Sequence, residues 1–558
     1  MARIALINGN VITVDREDRI ASAVAIDGGR ISMVGDDNAV VEACPGPHRV
    51  IDLKGRTVIP GLIDGHAHLD REGLKTVYPS LAGAACIQDI LEIVRKVAQT
   101  TPPGEWILTM PVGDPPSYWN VPSNLRENRF PTRWELDSVA PDHPVYIRPA
   151  WGYWNHKLPV VSVANSYALR LAGLDRDSAP ATSSIEYDRD ASTDELTGIF
   201  RDWNFMPVLE LSVFKMMPRF THEHRVQGLR DSMRAYNAVG TTGIFEEHGV
   251  AAELYDAYRE LHDRQEMTVR ARLAFSPSWS DTGSQGNSWL LENWGSWLSG
   301  SGIGDDDLRM LGFFVSPDVT VENMLRSQAA PYTGWAGFNY NTALPREQLK
   351  DLLITAARLG IRPGGLSLEL LDVFEEVHQV IPIDRQRWVI GHISIITRRD
   401  IERIKKLGLV LTTHTNRHIR REGHLHQSKK GIDPAHDIVP MRSLINAGIH
   451  VSLATDNVPI SLFHPMWHCV SRLDQYTDEE IAPGQRISRY EALRAATLEG
   501  AYLTFDENSR GSIEVGKQAD LAVLSHDPLR VPAEELVDIT ADITLVGGKI
   551  VHNIEEES

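Results

Sequence analysis

Two histidines one residue apart, His66 and His68, offer the clearest chemistry in this chain of 558 residues. They end the stretch TVIPGLIDGHAHLD (57–70), whose apolar run favours a buried strand interrupted at Pro60-Gly61. Side chains at positions i and i+2 of a strand share one face, so both imidazoles can bind one divalent metal. An isolated His-x-His is usually a pair of ordinary histidines, but this apolar context and the preceding Asp-Gly favour metal binding.

The middle of the chain alternates strand-like with helix-like segments. GTTGIFEE (240–247), RWVIGHIS (387–394) and HVSLATDN (450–457) favour strands, whereas REQLKDLLITAARLG (346–360) favours an amphipathic helix. This order predicts an α/β fold with a parallel sheet closed into a (β/α)8, TIM-like barrel. Barrel active sites lie at the C-terminal ends of the strands. The polar residues predicted there are His66, His68, Glu246, Glu247, His248, His392, His414 and Asp456.

Both ends of the chain are rich in short strands with Asn-Gly or Gly-Gly turns, as in RIALINGNVITV (3–14) and DITLVGGKIV (542–551). We therefore predict one composite β-sandwich from residues 1–58 and 511–558, around a barrel at 59–510. Insertions are expected at about 102–160 and 277–340, which lack clean periodicity. The second insertion holds five of the 13 tryptophans, and they belong either to ordinary loop packing or to a lid over an apolar substrate pocket.

The composition limits the kind of partner and compartment. A formal net charge of -19 argues against a nucleic-acid-binding surface. The three cysteines, Cys44, Cys86 and Cys469, are too few and too far apart for a disulfide framework or a cysteine-based zinc site. No apolar run is long enough for a membrane span, and the N-terminus lacks the pattern of a signal peptide. We expect a cytoplasmic protein with no membrane or nucleic-acid partner.

The chain resembles the metal-dependent amidohydrolase superfamily, and most closely amidohydrolase family 3, the N-substituted formamide deformylase-like branch. The resemblance covers nearly the whole chain. It is carried by KGRTVIPGLIDGHAHLD (54–70), NSYALRLAG (165–173), PYTGWAG (331–337), LATDNVP (453–459) and RGSIEVGKQADLAVLSHDP (510–528). It implies the same barrel and terminal sandwich, and a family-level expectation of a dimer.

The resemblance also implies a set of metal ligands. His66 and His68 match the ligands of strand one, His392 the strand-six histidine and Asp456 the strand-eight aspartate. A carboxylate at Asp456 can take a proton from the attacking water and pass it to a leaving amine. The other interpretation of Asp456 is a helix cap or turn residue.

Two ligands that the family usually has are missing. In the family, a carbamylated lysine on strand four bridges two metals, but this chain has Gly312 near that position and no lysine there. The family also has a histidine on strand five, and the corresponding stretch GGLSLEL (364–370) contains none. The simplest prediction is a mononuclear site of His66, His68, His392 and Asp456. His248 is a further candidate ligand, and Glu246, Glu247 or His414 are candidate replacements. HIRREGHLHQ (418–427) is either a solvated loop or an anion-binding lid.

These residues predict a metal-dependent hydrolase that cleaves an amide, formamide or carbamate C–N bond of a small, partly apolar substrate. Zinc is the first choice of metal, with manganese, iron or cobalt as alternatives. Asp456 is the predicted proton shuttle, and His392 a ligand or oxyanion stabiliser. A lyase, decarboxylase or metal oxygenase on the same scaffold is the alternative enzyme, because a barrel fold does not fix the reaction. A non-catalytic binding protein fits less well, since His-x-His, His392 and Asp456 are all retained.

Overall fold

The computed structural model describes residues 3–44, 48–281 and 283–557. The chain divides into two compact units. The first comprises Met1–Leu69, Leu229–Asp318 and Thr342–Ser558, and the second comprises Asp70–Gly228 and Val319–Asn341. The insertion predicted at about 102–160 lies inside the second unit, whose bounds are wider than that range. The insertion predicted at about 277–340 is shared between the two units.

The first unit contains the predicted barrel. Its eight strands are joined in chain order as parallel neighbours, and we number them one to eight. Beyond strand eight, the Leu453 carbonyl accepts a hydrogen bond from the Gly65 amide at 2.9 Å and so brings the last strand to the first. The strands are Leu62–Asp64, Thr241–Val250, Arg270–Phe275, Leu308–Phe314, Pro363–Gly365, Val389–Ile393, Val410–Thr413 and Val451–Ser452.

Helices follow the barrel strands, as the sequence pattern predicted. Arg346–Leu359 and Arg398–Leu407 end at Gly360 and Gly408, whose φ angles of 68° and 62° are left-handed, the usual way for a glycine to stop a helix. The other α-helices of this unit are Asp37–Glu42, Ala252–Asp263, Gly283–Leu298, Leu370–Val380, Gly423–Gln427, Met441–Asn446, Phe463–Ser471, Arg489–Ala495, Leu498–Leu503 and Ile554–Glu557. The helix His222–Ala238 contains the boundary between the units.

Strands from both ends of the chain share one sandwich. Leu521–Leu524 pairs antiparallel with Thr57–Pro60 in a six-stranded sheet. Leu6, Val58, Leu521 and Leu545 belong to its buried apolar core. Thr57–Pro60 leads directly into barrel strand one, so the sandwich anchors the strand that ends in His66. The remaining strands are Asn10–Ile12, Ile20–Ala21, Ala541–Val546 and Lys549–Asn553 in this sheet, and Ile4–Ile7, Ala23–Asp27, Arg30–Gly35 and Arg49–Asp52 in its partner.

The second unit has its own five-stranded sheet. In spatial order its strands are Ile185–Arg189, Leu196–Asp202, Val160–Ala164, Val145–Ile147 and Ile107–Thr109. Its α-helices are Asp70–Leu74, Ile87–Ala98, Arg133–Asp137, Gly152–Asn155, Ser166–Leu171 and Val321–Ser327. Among the helices of the described residues, none has the length and apolar character needed to cross a bilayer.

Candidate metal centre

The predicted histidine pair lies just past the end of barrel strand one. His66 and His68 are buried, with relative exposures of 0% and 2%. Their Nε2 atoms are 3.3 Å apart, which confirms that the two rings point to one place. One shared proton or one metal ion would satisfy the inward nitrogens of two buried imidazoles this close.

Strands six and eight bring two further groups to the same point. The Nε2 atom of His392 lies 3.3 Å from the Nε2 atom of His66. The Oδ1 atom of Asp456 lies 3.4 Å from Nε2 of His68 and 3.7 Å from Nε2 of His66. His392 and Asp456 both have left-handed backbones, with φ of 53° and 49°. Such conformations are costly for residues other than glycine and cluster at functional sites.

Four of the six separations among these atoms are close to those of a tetrahedral metal site. Ligands placed 2.0–2.1 Å from a zinc ion at the corners of a tetrahedron are about 3.3–3.4 Å apart. Of those four separations, three fall between 3.3 and 3.4 Å and one is 3.7 Å. Three imidazole nitrogens and one carboxylate oxygen are also donors that divalent transition metals accept. The donor atoms of His66, His392 and Asp456 lie within 4.8 Å of one another, and Nε2 of His68 lies 3.3–3.4 Å from two of them, so these residues fit a single divalent ion.

Two adjacent carboxylates from strand two hold the other side of the histidine pair. The Oε2 atom of Glu247 lies 2.7 Å from Nδ1 of His66 and accepts a second hydrogen bond from the Thr412 hydroxyl at 2.5 Å. The Oε2 atom of Glu246 lies 3.3 Å from Nδ1 of His68. A carboxylate at Nδ1 keeps the proton there and leaves the Nε2 lone pair for a metal. Glu246 and Glu247 thus face the outer nitrogens of the histidines.

The strand-two carboxylates are themselves fixed. Glu246 accepts hydrogen bonds at Oε1 from the Leu69 amide at 2.7 Å and from the Tyr258 hydroxyl at 2.8 Å. The carboxylate of Glu247 occupies the space where residue 391 would carry a side chain. A Cβ atom added to Gly391 would lie 2.2 Å from Oε1 of Glu247. Glycine at position 391, next to His392, is therefore part of the site.

Backbone contacts join strand one to the loop after strand eight. The Asp64 carboxylate accepts hydrogen bonds from the amides of His66 and Thr455 at 3.1 and 3.0 Å. The side-chain amide of Asn457 bonds the backbone of His68 in both directions, at 2.8 and 3.0 Å. These bonds fix Asp456, between Thr455 and Asn457, relative to the histidine pair.

The surroundings set the charges of the buried groups. Burial alone would raise the pKa of the Asp456 carboxyl, but the hydrogen bond to His68 and the nearby His414 and His66 bring it well below its ordinary value. Burial, assisted by the charge of His66, lowers the pKa of His392 well below its ordinary value. For His66 burial opposes the charged form, but the hydrogen bond and charge of Glu247 outweigh it and raise the pKa. An ionised Asp456 and a neutral His392 are the forms that bind metal.

The strand-four position near the missing family lysine has no room for a side chain. A Cβ atom added to Gly312 would lie 2.0 Å from the Arg362 carbonyl oxygen, so the backbone is packed too closely there to accept a lysine without rearrangement. The strand-five stretch that lacks the family histidine is less uniform. A Cβ atom added to Gly365 would lie 2.4 Å from the Leu370 side chain and 2.8 Å from the Val315 carbonyl oxygen, whereas one added to Gly364 would meet its nearest neighbour, Val389, at 3.8 Å.

His248 and His414 lie beside the four convergent groups. The ligand atoms of His248, His66 and His68 lie within 4.8 Å of one another, and the His248 ring is 4.4 Å from the ring of Phe314. The Nε2 atom of His414 lies 3.4 Å from Oδ2 of Asp456. His414 therefore contacts the aspartate on the side opposite the histidine pair. The sequence predicted both residues at this end of the barrel, but it did not show that His248 lies near the strand-one histidines and His414 near Asp456.

Comparisons with known proteins agree with this architecture. A family model described as the amidohydrolase family matches residues 49–552. The N-substituted formamide deformylase of Arthrobacter pascens is 28% identical over 572 residues, covering 98% of both chains. The crystal structure of an uncharacterized metal-dependent hydrolase from Pyrococcus horikoshii OT3 has a TM-score of 0.68 and 21% identity, and covers 96% of this chain and 99% of its own.

A second solved structure has the same fold over its full length. It is an uncharacterized metal-dependent hydrolase from Pyrococcus furiosus, with a TM-score of 0.66 and 22% identity, and it covers 95% of this chain and 100% of its own. The family match covers most of the chain and includes the whole barrel and the sandwich strands of the C-terminal end. The chain belongs to the amidohydrolase family of metal-dependent hydrolases, enzymes that act on carbon–nitrogen bonds.

Proposed function

We propose that this chain is a zinc-dependent hydrolase that cleaves the C–N bond of an amide, formamide or carbamate in a small, partly apolar substrate. The convergence of three imidazole nitrogens and the Asp456 carboxylate at 3.3–3.7 Å carries this proposal. N-substituted formamides come first among the substrates, because the deformylase of Arthrobacter pascens is similar over 98% of both chains.

His66, His68, His392 and Asp456 would hold the ion. When bound, a divalent ion lowers the pKa of a water from 15.7 to about 7 and polarises a carbonyl group. Zinc would accept these nitrogen and oxygen donors, and manganese, iron and cobalt are the alternatives. Glu247 and Glu246 orient the two strand-one imidazoles, so that their Nε2 atoms stay directed inward.

Asp456 is the group that moves the proton. Its Oδ1 atom faces the imidazoles, whereas its Oδ2 atom faces His414 at 3.4 Å. An ionised carboxylate can accept a proton from the attacking water and return it to the nitrogen of the leaving amine. The balanced reaction for a formamide consumes one water and releases formate and an amine. His414 steadies Oδ2 during both transfers.

His248 contributes to the substrate side of the centre. It lies near the end of strand two and packs against Phe314 of strand four at a ring separation of 4.4 Å. An imidazole next to a phenyl ring offers both a polar edge and an apolar face to a substrate. We assign His248 to substrate contact, because the four-donor set is complete without it.

Product analysis in ¹⁸O-labelled water tests the reaction. The zinc-loaded protein is incubated with a series of N-alkyl and N-aryl formamides, and formate and amine are quantified. Equal amounts of both products, with one labelled oxygen in formate, are the expected result, since hydrolysis must take an oxygen atom from water. The Asp456→Asn variant is the control for adventitious hydrolysis. Carbon–nitrogen cleavage without label in the acyl product, or no turnover of any formamide, amide or carbamate, would contradict the proposal.

A further inference from the structure

A second histidine cluster follows strand seven, outside the centre described above. The chain runs from strand Val410–Thr413 into a π-helix, Asn416–Arg421, and then into the short helix Gly423–Gln427. His418, Glu422 and His426 lie four residues apart along this segment. Residues at this spacing face one side of a helical segment. π-Helical turns are rare and are found frequently at functional sites.

The three side chains converge on one point. The Nδ1 atom of His418 lies 3.1 Å from Nε2 of His426 and 3.9 Å from Oε2 of Glu422. The three donor atoms lie within 4.8 Å of one another. His418 and His426 are buried, with relative exposures of 6% and 3%. Two buried imidazoles with a carboxylate beside them form a group of metal-binding donors.

The facing nitrogens of the two rings can share one proton or bind one ion, and the carboxylate beside them offers a third donor. Glu422 accepts a hydrogen bond from Nε of Arg417 at 3.0 Å. A carboxylate has about four acceptor positions, so this bond leaves capacity for a metal.

We propose that His418, Glu422 and His426 bind a second divalent ion of the zinc type, with water as the fourth ligand. Two imidazoles and one carboxylate are a common donor set for zinc with an open position. The 3.1 Å separation of the two ring nitrogens is close to the spacing of about 3.3–3.4 Å in a tetrahedral zinc site. The ion would join the π-helix to the helix that follows and so fix the segment that begins after His414.

Elemental analysis of the full chain, loaded with Zn²⁺ alone and then desalted, tests this second site. We expect two equivalents of zinc in the wild type and one fewer in His426→Ala. Glu422→Gln keeps the shape of the side chain and serves as the second variant if His426→Ala does not fold. His436→Ala is the matched control, because His436 lies in the same region and its side chain is 69% exposed. It should retain both equivalents.

The His66→Ala variant separates this proposal from the catalytic centre. If both sites exist, His66→Ala and His426→Ala each lose one equivalent, and the double variant loses both. Loss in His426→Ala but not in His66→Ala would support the second site and count against the first. Zinc contents equal to the wild type in His426→Ala and Glu422→Gln would overturn the second site, whatever His66→Ala retains.

Discussion

Nδ1 of His66 lies 2.7 Å from Oε2 of Glu247, a residue 181 positions later in the chain that belongs to the next barrel strand. Both side chains are fully buried. The carboxylate turns the imidazole so that its other nitrogen meets the Nε2 atoms of His68 and His392. Glu247 is thus a positioning residue for the metal centre, and it acts through His66.

Removing the charge of Glu247 should weaken metal binding. In Glu247→Gln the amide cannot hold the Nδ1 proton as the carboxylate does, so we expect a 10- to 100-fold loss of zinc affinity, on the order of effects at such outer positions. Competition with a zinc chelator measures the affinity. Glu347→Gln, on an exposed turn of the helix Arg346–Leu359, is the matched control and should bind zinc like the wild type. Unchanged affinity in Glu247→Gln would exclude the positioning role.

A methyl group at position 391 should have the same effect by a steric route. Gly391→Ala places a Cβ atom 2.2 Å from Oε1 and 2.4 Å from Oε2 of Glu247, so the carboxylate has to move. Zinc affinity should fall in the same range as for Glu247→Gln, and the double variant should lose little more, because both changes remove one contact. In Gly364→Ala the new Cβ meets its nearest neighbour, Val389, at 3.8 Å, so this control should bind normally. Additive losses in the double variant would contradict a shared mechanism.

Asp456→Asn should separate proton transfer from metal binding. The side-chain amide oxygen can still contact an ion, but it cannot accept a proton from water at neutral pH. We expect kcat to fall by about 10²- to 10⁴-fold, the usual contribution of a general acid–base, while zinc is retained at saturating concentration. Steady-state kinetics and metal analysis on one preparation measure both quantities. A kcat equal to that of the wild type would show that another group carries the proton.

His248 should affect substrate binding rather than metal content. Its ring lies 6.1 Å from the ring of His68 and packs on Phe314, beside the four-donor set. His248→Ala is therefore expected to keep the zinc content of the wild type and to raise KM for apolar substrates. Metal analysis and KM values for a matched pair of polar and apolar formamides test this assignment. Loss of one zinc equivalent in His248→Ala would instead make it a ligand.

The sandwich and the barrel are joined by a buried ion pair that should make stability depend on pH. The Nε and Nη2 atoms of Arg270, on barrel strand three, donate hydrogen bonds to the Asp520 carboxylate at 2.7 and 3.0 Å. Burial would raise the pKa of Asp520, but the charge and hydrogen bonds of Arg270 lower it below the ordinary value of 3.8. The ion pair therefore contributes its whole stabilisation above about pH 3.8, and this stabilisation is lost as the pH falls through the folded-state pKa of Asp520.

Asp520→Asn tests this dependence. Removing the charge of one partner of a buried ion pair should lower the free energy of unfolding by about 3–5 kcal/mol at neutral pH. The difference in stability from the wild type should narrow as the pH falls from 3.8 to the lower folded-state pKa of Asp520, because over this range only the unfolded wild type binds the proton. Asp307 bonds the same arginine at 2.7 Å but is 50% exposed, so Asp307→Asn should change stability by only about 0–1 kcal/mol. Urea unfolding across the acid range measures both variants, and a constant difference for Asp520→Asn would contradict the pair's pH dependence.

The sequence predicted the barrel and the convergence of its polar residues because strands one, two, six and eight each show an apolar run followed by polar groups, although strand five, Pro363–Gly365, has no such run. The carboxyl ends of parallel barrel strands share one rim, so the sequence could place four residues at one site: His66, His68, His392 and Asp456. The second unit was harder to predict. Its sheet is built from short strands, such as Val145–Ile147 and Ile107–Thr109, in a region rich in proline and tryptophan, where periodicity is weak.

The roles of the strand-two carboxylates could not be predicted from alternation. Consecutive residues of a regular strand point to opposite faces, so at most one of Glu246 and Glu247 should reach the centre. In the structure the register of strand two shifts between Glu246 and Val250, and both carboxylates reach a histidine of the pair. The only sequence signal was the presence of two adjacent acids at the end of an apolar strand.

The metal contents of the wild type and of His66→Ala show directly whether His66 holds the catalytic ion. Both proteins are loaded with zinc, desalted and measured by elemental analysis, with activity on the best formamide recorded from the same samples. We expect one equivalent fewer in His66→Ala, together with loss of hydrolysis. The same zinc content and the same activity in both proteins would show that His66 does not hold the catalytic ion.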